Sequence, residues 1–270
     1  MIQSYAEVIG DPISHSKSPI IHGFWLEALG IDASYRTHHV LPGALGEYFA
    51  RRREDPAWRG CNITIPHKVA ALDHVADPGG VRQSIGAANL VVKQPDGSLT
   101  AINTDAGGFY TPIAGLDLAG ATVAVIGAGG AARAILFALS RLGVGEVMIY
   151  NRNPLKAAAL LAAFKLKGKA LPLGSALPPA ALLVNASPLG MAGQPALDVD
   201  LTPLPEDAVV YDIVYTPLET PLLAAARARE LDTVDGLEML VGQAAIAFEL
   251  LFDTEPVRDN DAALRALLMA

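Results

Sequence analysis

Along the first hundred residues the apolar positions switch between short β-like runs and helical spacing. This predicts strands over 5–9 and 34–40 and helices over 20–29 and 44–53. Strand and helix in alternation imply a mainly parallel sheet. Ser18 before Pro19 reads as a helix N-cap with proline at the first helical position, and Gly30 as a left-handed C-cap. Pro66 is expected to open a further helix whose first turn carries His67 and Lys68. Segments 88–93 and 99–103 flank Pro95-Asp96-Gly97 and read as a strand hairpin. From residue 121 a short buried strand runs straight into a glycine-rich turn and a helix ending near Leu142. Strands follow at 146–150, 182–185 and 208–214, with helices after Pro154, over 221–230 and from Leu237 onwards. Proline-rich loops occupy 172–179 and 193–205, and 103–107 joins the two halves without a long linker.

Composition narrows the function. The 270 residues are 51% hydrophobic, enough for substantial cores. No apolar run is long enough to span a membrane, and the first residues lack the basic and apolar blocks of a signal peptide, so a cytoplasmic protein is expected. Twenty basic against 28 acidic residues give a formal charge of −8, which argues against a nucleic-acid partner. Arg51-Arg52-Arg53 is the one basic run and reads as a solvated helix end. The single cysteine, Cys61, cannot form an internal disulfide and reads as a small buried apolar group. Asn62-Ile63-Thr64 and Asn185-Ala186-Ser187 match a glycosylation pattern but are read as chance matches. His15 and His22 have no third partner, so no metal is expected.

The turn Gly127-Ala128-Gly129-Gly130-Ala131-Ala132 follows a strand and opens a helix, the setting in which such a turn binds a dinucleotide. Its glycines let the backbone approach a pyrophosphate at the helix amino terminus, and Ala132 takes the third, close-packed position. About 23 residues past Gly127, where an NAD-binding fold places an acid, the chain reads Tyr150-Asn151-Arg152-Asn153 and then Pro154-Leu155-Lys156. With no acid there, Arg152 and Lys156 suit a 2′-phosphate, and the expected cofactor is NADP.

Ahead of that fold lie small hydroxyls and one lysine, in Ser16-Lys17-Ser18-Pro19 with His22 and in Asn62-Ile63-Thr64-Ile65-Pro66-His67-Lys68. Such groups suggest redox chemistry on a polyhydroxylated small molecule. Further on come Gly86-Ala87-Ala88-Asn89, Asn103-Thr104-Asp105, Asn185 to Met191, Tyr211 to Pro217 with Thr220-Pro221, and Asp235-Gly236-Leu237 through Gln243. In this order, and over essentially its whole length, the chain resembles the shikimate dehydrogenase family.

The resemblance implies a two-domain α/β enzyme. A substrate-binding domain over 1–102 would be completed by helices over 237–270, a Rossmann-type NADP-binding domain would take 103–236, and substrate would lie between them. The implied reaction is the reversible NADPH-dependent reduction of 3-dehydroshikimate to shikimate, in aromatic amino-acid biosynthesis. Lys68 and Asp105 would be the catalytic pair, the lysine handling the proton lost or gained by the reacting oxygen. Ser16, Ser18 and Thr64 would bind the substrate carboxylate and ring oxygens, Asn89, Asp105 and Gln243 the ring hydroxyls, and Tyr215 would add a phenolic donor. Gly127, Ala128, Gly129, Gly130, Ala131, Asn151, Arg152, Asn153, Lys156, Ser187 and Gly236 are assigned to the cofactor. His67, Gly23, Ala106 and Ser187 depart from the family's usual residues without removing a proposed proton-transfer group, and His67 either perturbs Lys68 or faces solvent. Rival readings are a quinate/shikimate dehydrogenase using NAD and a non-catalytic NADP-binding sensor. No membrane or nucleic-acid partner is expected, and the one protein partner left open is a second copy in a homodimer.

Overall fold

A computed structural model of the chain describes residues 3–269, which divide into two compact units at 105/106 and 240/241. From the sequence, domain boundaries are expected after 102 and before 237.

The first unit contains β1 (Ser4–Gly10), α1 (Ser18–Ala28), β2 (Ala33–His39), α2 (Leu45–Glu54), β3 (Trp58–Ile63), α3 (Val81–Ser84), β4 (Leu90–Lys93) and β5 (Leu99–Ile102). Its sheet has the order β2-β1-β3-β4-β5, parallel from β2 to β3 and antiparallel from β3 to β5. The antiparallel part is the expected hairpin, closed by Gly97 N donating to the Gln94 carbonyl. β1 lies inside the sheet, and six of its seven residues are buried. β3 escaped the sequence reading because Trp-Arg-Gly-Cys-Asn-Ile does not alternate. Its register against β1 shifts between Tyr5 and Ala6, where Arg59 is the extra residue before Gly60. At Gly60 a side chain would meet the Val91 carbonyl oxygen at 2.3 Å, so only glycine fits there.

The second unit contains α4 (Asp105–Tyr110, whose first residue belongs to the first unit), β6 (Thr122–Ile126), α5 (Gly130–Leu142), β7 (Glu146–Asn151), α6 (Pro154–Ala163), β8 (Gly168–Pro172), β9 (Leu182–Asn185), β10 (Val209–Asp212), α7 (Pro221–Ala228) and β11 (Asp232–Val234). α8 (Gly236–Phe252) runs from this unit into the first, and α9 (Asp261–Met269) follows. The sheet is parallel throughout, in the order β11-β10-β9-β6-β7-β8. Its central strands are buried on both faces, with Val125, Leu139, Val147 and Val184 in one apolar cluster and Ala124, Leu183, Val210 and Leu223 in the other. The chain winds outwards from β6, first to β7 and β8, then to β9 and beyond on the other side. The carboxyl ends of β6 and β9 therefore form a topological switch point, the place where open α/β sheets bind ligands. The edge strand β8 carries Lys169 just after Lys165 and Lys167 and ends at Pro172.

Three local readings are corrected. Ser18 is not the N-cap of α1: Lys17 holds that position and Ser18 is already helical. Pro66 opens no helix: after a cis Ile65–Pro66 peptide the chain makes a turn over 65–69, with only a 3₁₀ segment at Ala70–Asp73 beyond it. Arg52 is not a solvated cation. Its side chain is 16% exposed and its Nε donates to Glu7 Oε1 at 2.5 Å, whereas Arg51 is exposed and pairs with Glu47 one turn back. Glu7 is fully buried in β1 and also accepts from the Tyr48 hydroxyl at 2.8 Å. Burial opposes the Arg52 charge, but the Glu7 hydrogen bond and charge overcome that opposition and hold its pKa above the ordinary value. Removing one member of such a pair leaves a buried charge without its main partner. Arg52→Ala is therefore expected to lower unfolding free energy by about 3 kcal/mol in urea titrations. Arg51→Ala should leave the transition nearly unmoved.

Candidate active site

The parallel neighbours β1 and β3 end side by side, with Ile9 in register with Ile63, and the proposed substrate groups of the first unit leave from these ends. Thr64 N donates to the Ile9 carbonyl at 2.9 Å, and Asp11 N donates to the Ile65 carbonyl at 3.0 Å. Past β1 the chain carries Ser16 and Ser18 into α1, and past β3 it makes the cis-proline turn that carries Lys68.

Three hydrogen bonds fix that turn. His67 N donates to the Thr64 carbonyl at 2.9 Å, and Ala88 N donates to the Lys68 carbonyl at 2.7 Å. The His67 ring is 2% exposed, with Nε2 at 2.6 Å from the Val40 carbonyl, so Nε2–H is the donor. His67 therefore does not face solvent; it ties the lysine turn to the segment that follows β2. The lysine side chain, 16% exposed, reaches Asp105 with Nζ 2.5 Å from Oδ2. The other carboxylate oxygen accepts from Asn89 Nδ2 at 2.9 Å, and Asn89 Oδ1 accepts from the Thr104 amide at 2.6 Å. Gln243 on α8 closes the group, its Oε1 at 3.2 Å from Asn89 Nδ2 and 3.4 Å from Thr104 Oγ1. Lys68, Asp105, Asn89 and Gln243 thus converge. Thr104 joins them without having been assigned a role, although it stands between two residues of a recognised motif.

The hydroxyl residues are less connected. Ser16 Oγ accepts from Ser18 N at 3.3 Å, and Ser18 is buried. Thr64 is half-buried four residues before Lys68. Tyr215 lies in the second unit after β10, and burial raises the pKa of its phenol. His22 is buried on α1 with its ring stacked on Tyr35, centroids 4.0 Å apart and planes 3° from parallel. Tyr35 in turn donates to Asn62 Oδ1 at 2.7 Å, so the histidine packs the phenol in place. Burial lowers the His22 pKa to about 3.

In the second unit, Gly127 follows β6 at φ +110°, where a side chain would stand 2.8 Å from the Ala186 carbonyl oxygen and 3.1 Å from Ser187 N. Gly129, the N-cap of α5, faces open space and brings no capping side chain. The free amides of the first turn of α5, with Gly130 and Ala131, are thereby left to bind an anion. Ala132 is fully buried where helix meets sheet, and Ala128 is buried beside the turn. These residues fit a dinucleotide pyrophosphate. Ser187 donates to Asn185 Oδ1 at 2.7 Å, and Asn185 donates to the buried Asp212 at 2.9 Å, which also accepts from the Thr220 hydroxyl at 2.7 Å. Burial raises the Asp212 pKa. Gly236 starts α8 where a side chain would lie 2.5 Å from both the Ile213 and Val214 carbonyl oxygens, so it is needed for packing.

At the end of β7, Asn151 Nδ2 donates to the Asn153 carbonyl at 2.9 Å. The Asn153 side chain is engaged as the N-cap of α6, accepting from Leu155 N at 3.0 Å and Lys156 N at 3.4 Å. Arg152 and Lys156 are exposed on either side of that cap, in no ion pair among the described residues.

The chain is similar to known proteins over almost its whole length. Residues 8–91 match the model of the shikimate dehydrogenase substrate binding domain, 112–177 that of shikimate / quinate 5-dehydrogenase, and 236–259 that of the shikimate 5′-dehydrogenase C-terminal domain. A shikimate dehydrogenase (NADP(+)) of Sphingopyxis alaskensis is 65% identical over 266 residues, covering 98% of this chain and 97% of its own. The chain belongs to the shikimate dehydrogenase family. Among solved family members, shikimate 5-dehydrogenase of Thermus thermophilus in complex with NADP(H) and shikimate superposes with a TM-score of 0.86 at 38% identity, covering 98% of this chain and 99% of that one. A 5-ketofructose reductase of Gluconobacter superposes with a TM-score of 0.88 at 30% identity, over 99% of this chain and 98% of that one.

The buried His22 makes a pH prediction. Its pKa is lower folded than unfolded, so below about pH 6.5 the unfolded chain takes a proton that the folded one refuses. Stability is expected to be fully present above pH 6.5 and to fall towards pH 3, this group contributing a loss of up to about 1.4 kcal/mol per pH unit. Urea titrations from pH 7 to pH 4 should show a shallower decline in His22→Phe than in the parent.

Proposed function

We propose that this chain catalyses the reversible NADPH-dependent reduction of 3-dehydroshikimate to shikimate. The first unit would bind the substrate, the second the cofactor, and the reaction would serve aromatic amino-acid biosynthesis in the cytoplasm, where NADPH is a shared soluble pool. The observation that carries the reading is the Lys68–Asp105 pair, backed by Asn89 and Gln243, within a chain whose family acts on this substrate.

Bound NADPH supplies a hydride, and Gly127, Gly129, Gly130, Arg152 and Lys156 would hold it. The rest is work for this chain's own side chains. Lys68, charged and paired, gives the proton from Nζ to the oxygen that becomes the hydroxyl; in the oxidative direction it receives that proton back. Asp105 keeps the ammonium directed, and Asn89 fixes the carboxylate from its other oxygen. Asn89, Asp105 and Gln243 together offer donors and acceptors to ring hydroxyls, while Ser16, Ser18, Thr64 and Tyr215 serve the carboxylate side. A site built this way penalises analogues that leave one of its buried groups unpaired.

Lys68→Ala is expected to retain its fold and its affinity for shikimate in calorimetry. It should lose turnover by roughly two to four powers of ten in the absorbance assay at 340 nm, the usual worth of positioned acid–base assistance. Near-normal turnover would remove Lys68 from the mechanism. A non-catalytic sensor would instead bind NADP and turn over nothing.

Arg152 and Lys156 are expected to set the cofactor preference. Neutralising both should raise KM for NADP by roughly tenfold or more and change KM for NAD little, because only NADP carries the 2′-phosphate. A steady-state matrix of shikimate and quinate against NADP and NAD completes the test. Quinate adds a hydroxyl on the carbon bearing the carboxylate, and shikimate should lead in kcat/KM by about a hundredfold. Equal use of quinate would instead assign the chain to quinate/shikimate oxidation.

A further inference from the structure

The ends of β1 and β3 are packed so closely that Gly10 has no room for a side chain. A Cβ built on it would stand 2.5 Å from Thr64 Cγ2, 3.0 Å from the Ile65 carbonyl oxygen and 3.1 Å from Ile13 Cδ1. Gly10 is not among the glycines with positive φ, so alanine could adopt its backbone and the restriction is purely steric.

The group turned towards Gly10 is the Thr64 methyl. The threonine backbone cannot retreat, since its N–H is bonded to Ile9 and its carbonyl to His67 N, and the next residue is bonded to Asp11 N. That leaves rotation about χ1 as the soft way to relieve a contact, and in a β-branched side chain this rotation carries Oγ1 along with Cγ2.

We propose that Gly10 is a positioning residue for the reaction: its missing side chain sets the Thr64 rotamer and thereby the point at which the Thr64 hydroxyl meets a substrate oxygen. This deepens the function above and rests on Thr64 being a substrate-binding hydroxyl.

The test is a cycle of Gly10→Ala, Thr64→Ser and the double variant, with Thr64→Val beside it, each measured for shikimate and NADP kinetics and for urea stability. Serine keeps the hydroxyl and lacks the obstructing methyl. Gly10→Ala is expected to raise KM for shikimate by about tenfold while leaving KM for NADP within about twofold. Gly10→Ala with Thr64→Ser should return the shikimate KM to within about threefold of Thr64→Ser alone, a coupling that a merely structural loss would not produce. An unchanged shikimate KM in Gly10→Ala, or a double variant as impaired as Gly10→Ala, overturns the proposal. If Gly10→Ala does not accumulate as folded protein, the double variant decides: folded with the KM of Thr64→Ser supports the proposal, and misfolded or impaired overturns it. Thr64→Val keeps the methyl and loses the hydroxyl. A parental shikimate KM there removes the premise, and so separates failure of the substrate reading from failure of the steric one.

Discussion

The ion pair of Lys68 and Asp105 joins positions 37 residues apart, and the lysine turn, Asn89, Thr104 and Gln243 are held together around that meeting. The lysine arrives on a turn with no helix of its own to stiffen it, so rigidity comes from neighbours: the Val40 carbonyl under His67, the Ala88 amide on the Lys68 carbonyl, and the end of β1 against Thr64. The aspartate arrives at the start of α4 and is steadied by an amide that is itself anchored on the Thr104 backbone. Two ends of a flexible salt bridge are thus both made stiff. Their charges meet without the entropy cost that weakens pairs of free surface side chains.

A second buried charge, Glu7, shows the same logic applied to stability. It occupies the middle of an apolar strand, a place where an isolated carboxylate would be prohibitively costly, and it is tolerated because Arg52 and Tyr48 meet it, with Arg36 3.6 Å away. Such a cluster favours one register of β1 and α2 over others, because a shift of one residue in β1 would turn the carboxylate away from Arg52 and Tyr48.

Much of this was legible in the sequence where local signals and burial agreed. The glycine turn, its strand and helix, the hairpin around Asp96 and the parallel nucleotide-binding sheet follow from periodicity and turn chemistry, and the motifs from Ser16 to Gln243 carry the family. Legibility failed where a residue's task depends on distant partners. Ser18-Pro19 fits either the cap and first position or the first two helical positions, and sequence cannot choose between them. Proline after Ile65 reads as a helix start, but the turn it enters is held by the Val40 carbonyl and the Ala88 amide, which lie far off in sequence. Arg52 looks like its neighbours until Glu7 is seen beneath it. β3, buried on both faces and broken by Gly60, has no alternation to detect, and β8, a short strand entered through Lys165 and Lys167, resembles a solvated loop.

That last strand has a consequence for assembly. An exposed sheet edge invites another chain to add a strand, and a second copy pairing with β8 would set lysine near lysine and meet a proline that offers no amide. Although the protein as a whole is acidic, this margin is locally cationic. The nucleotide-binding sheet is in effect hemmed along that side, so two copies crowded together at high concentration would find no continuous ladder to share there.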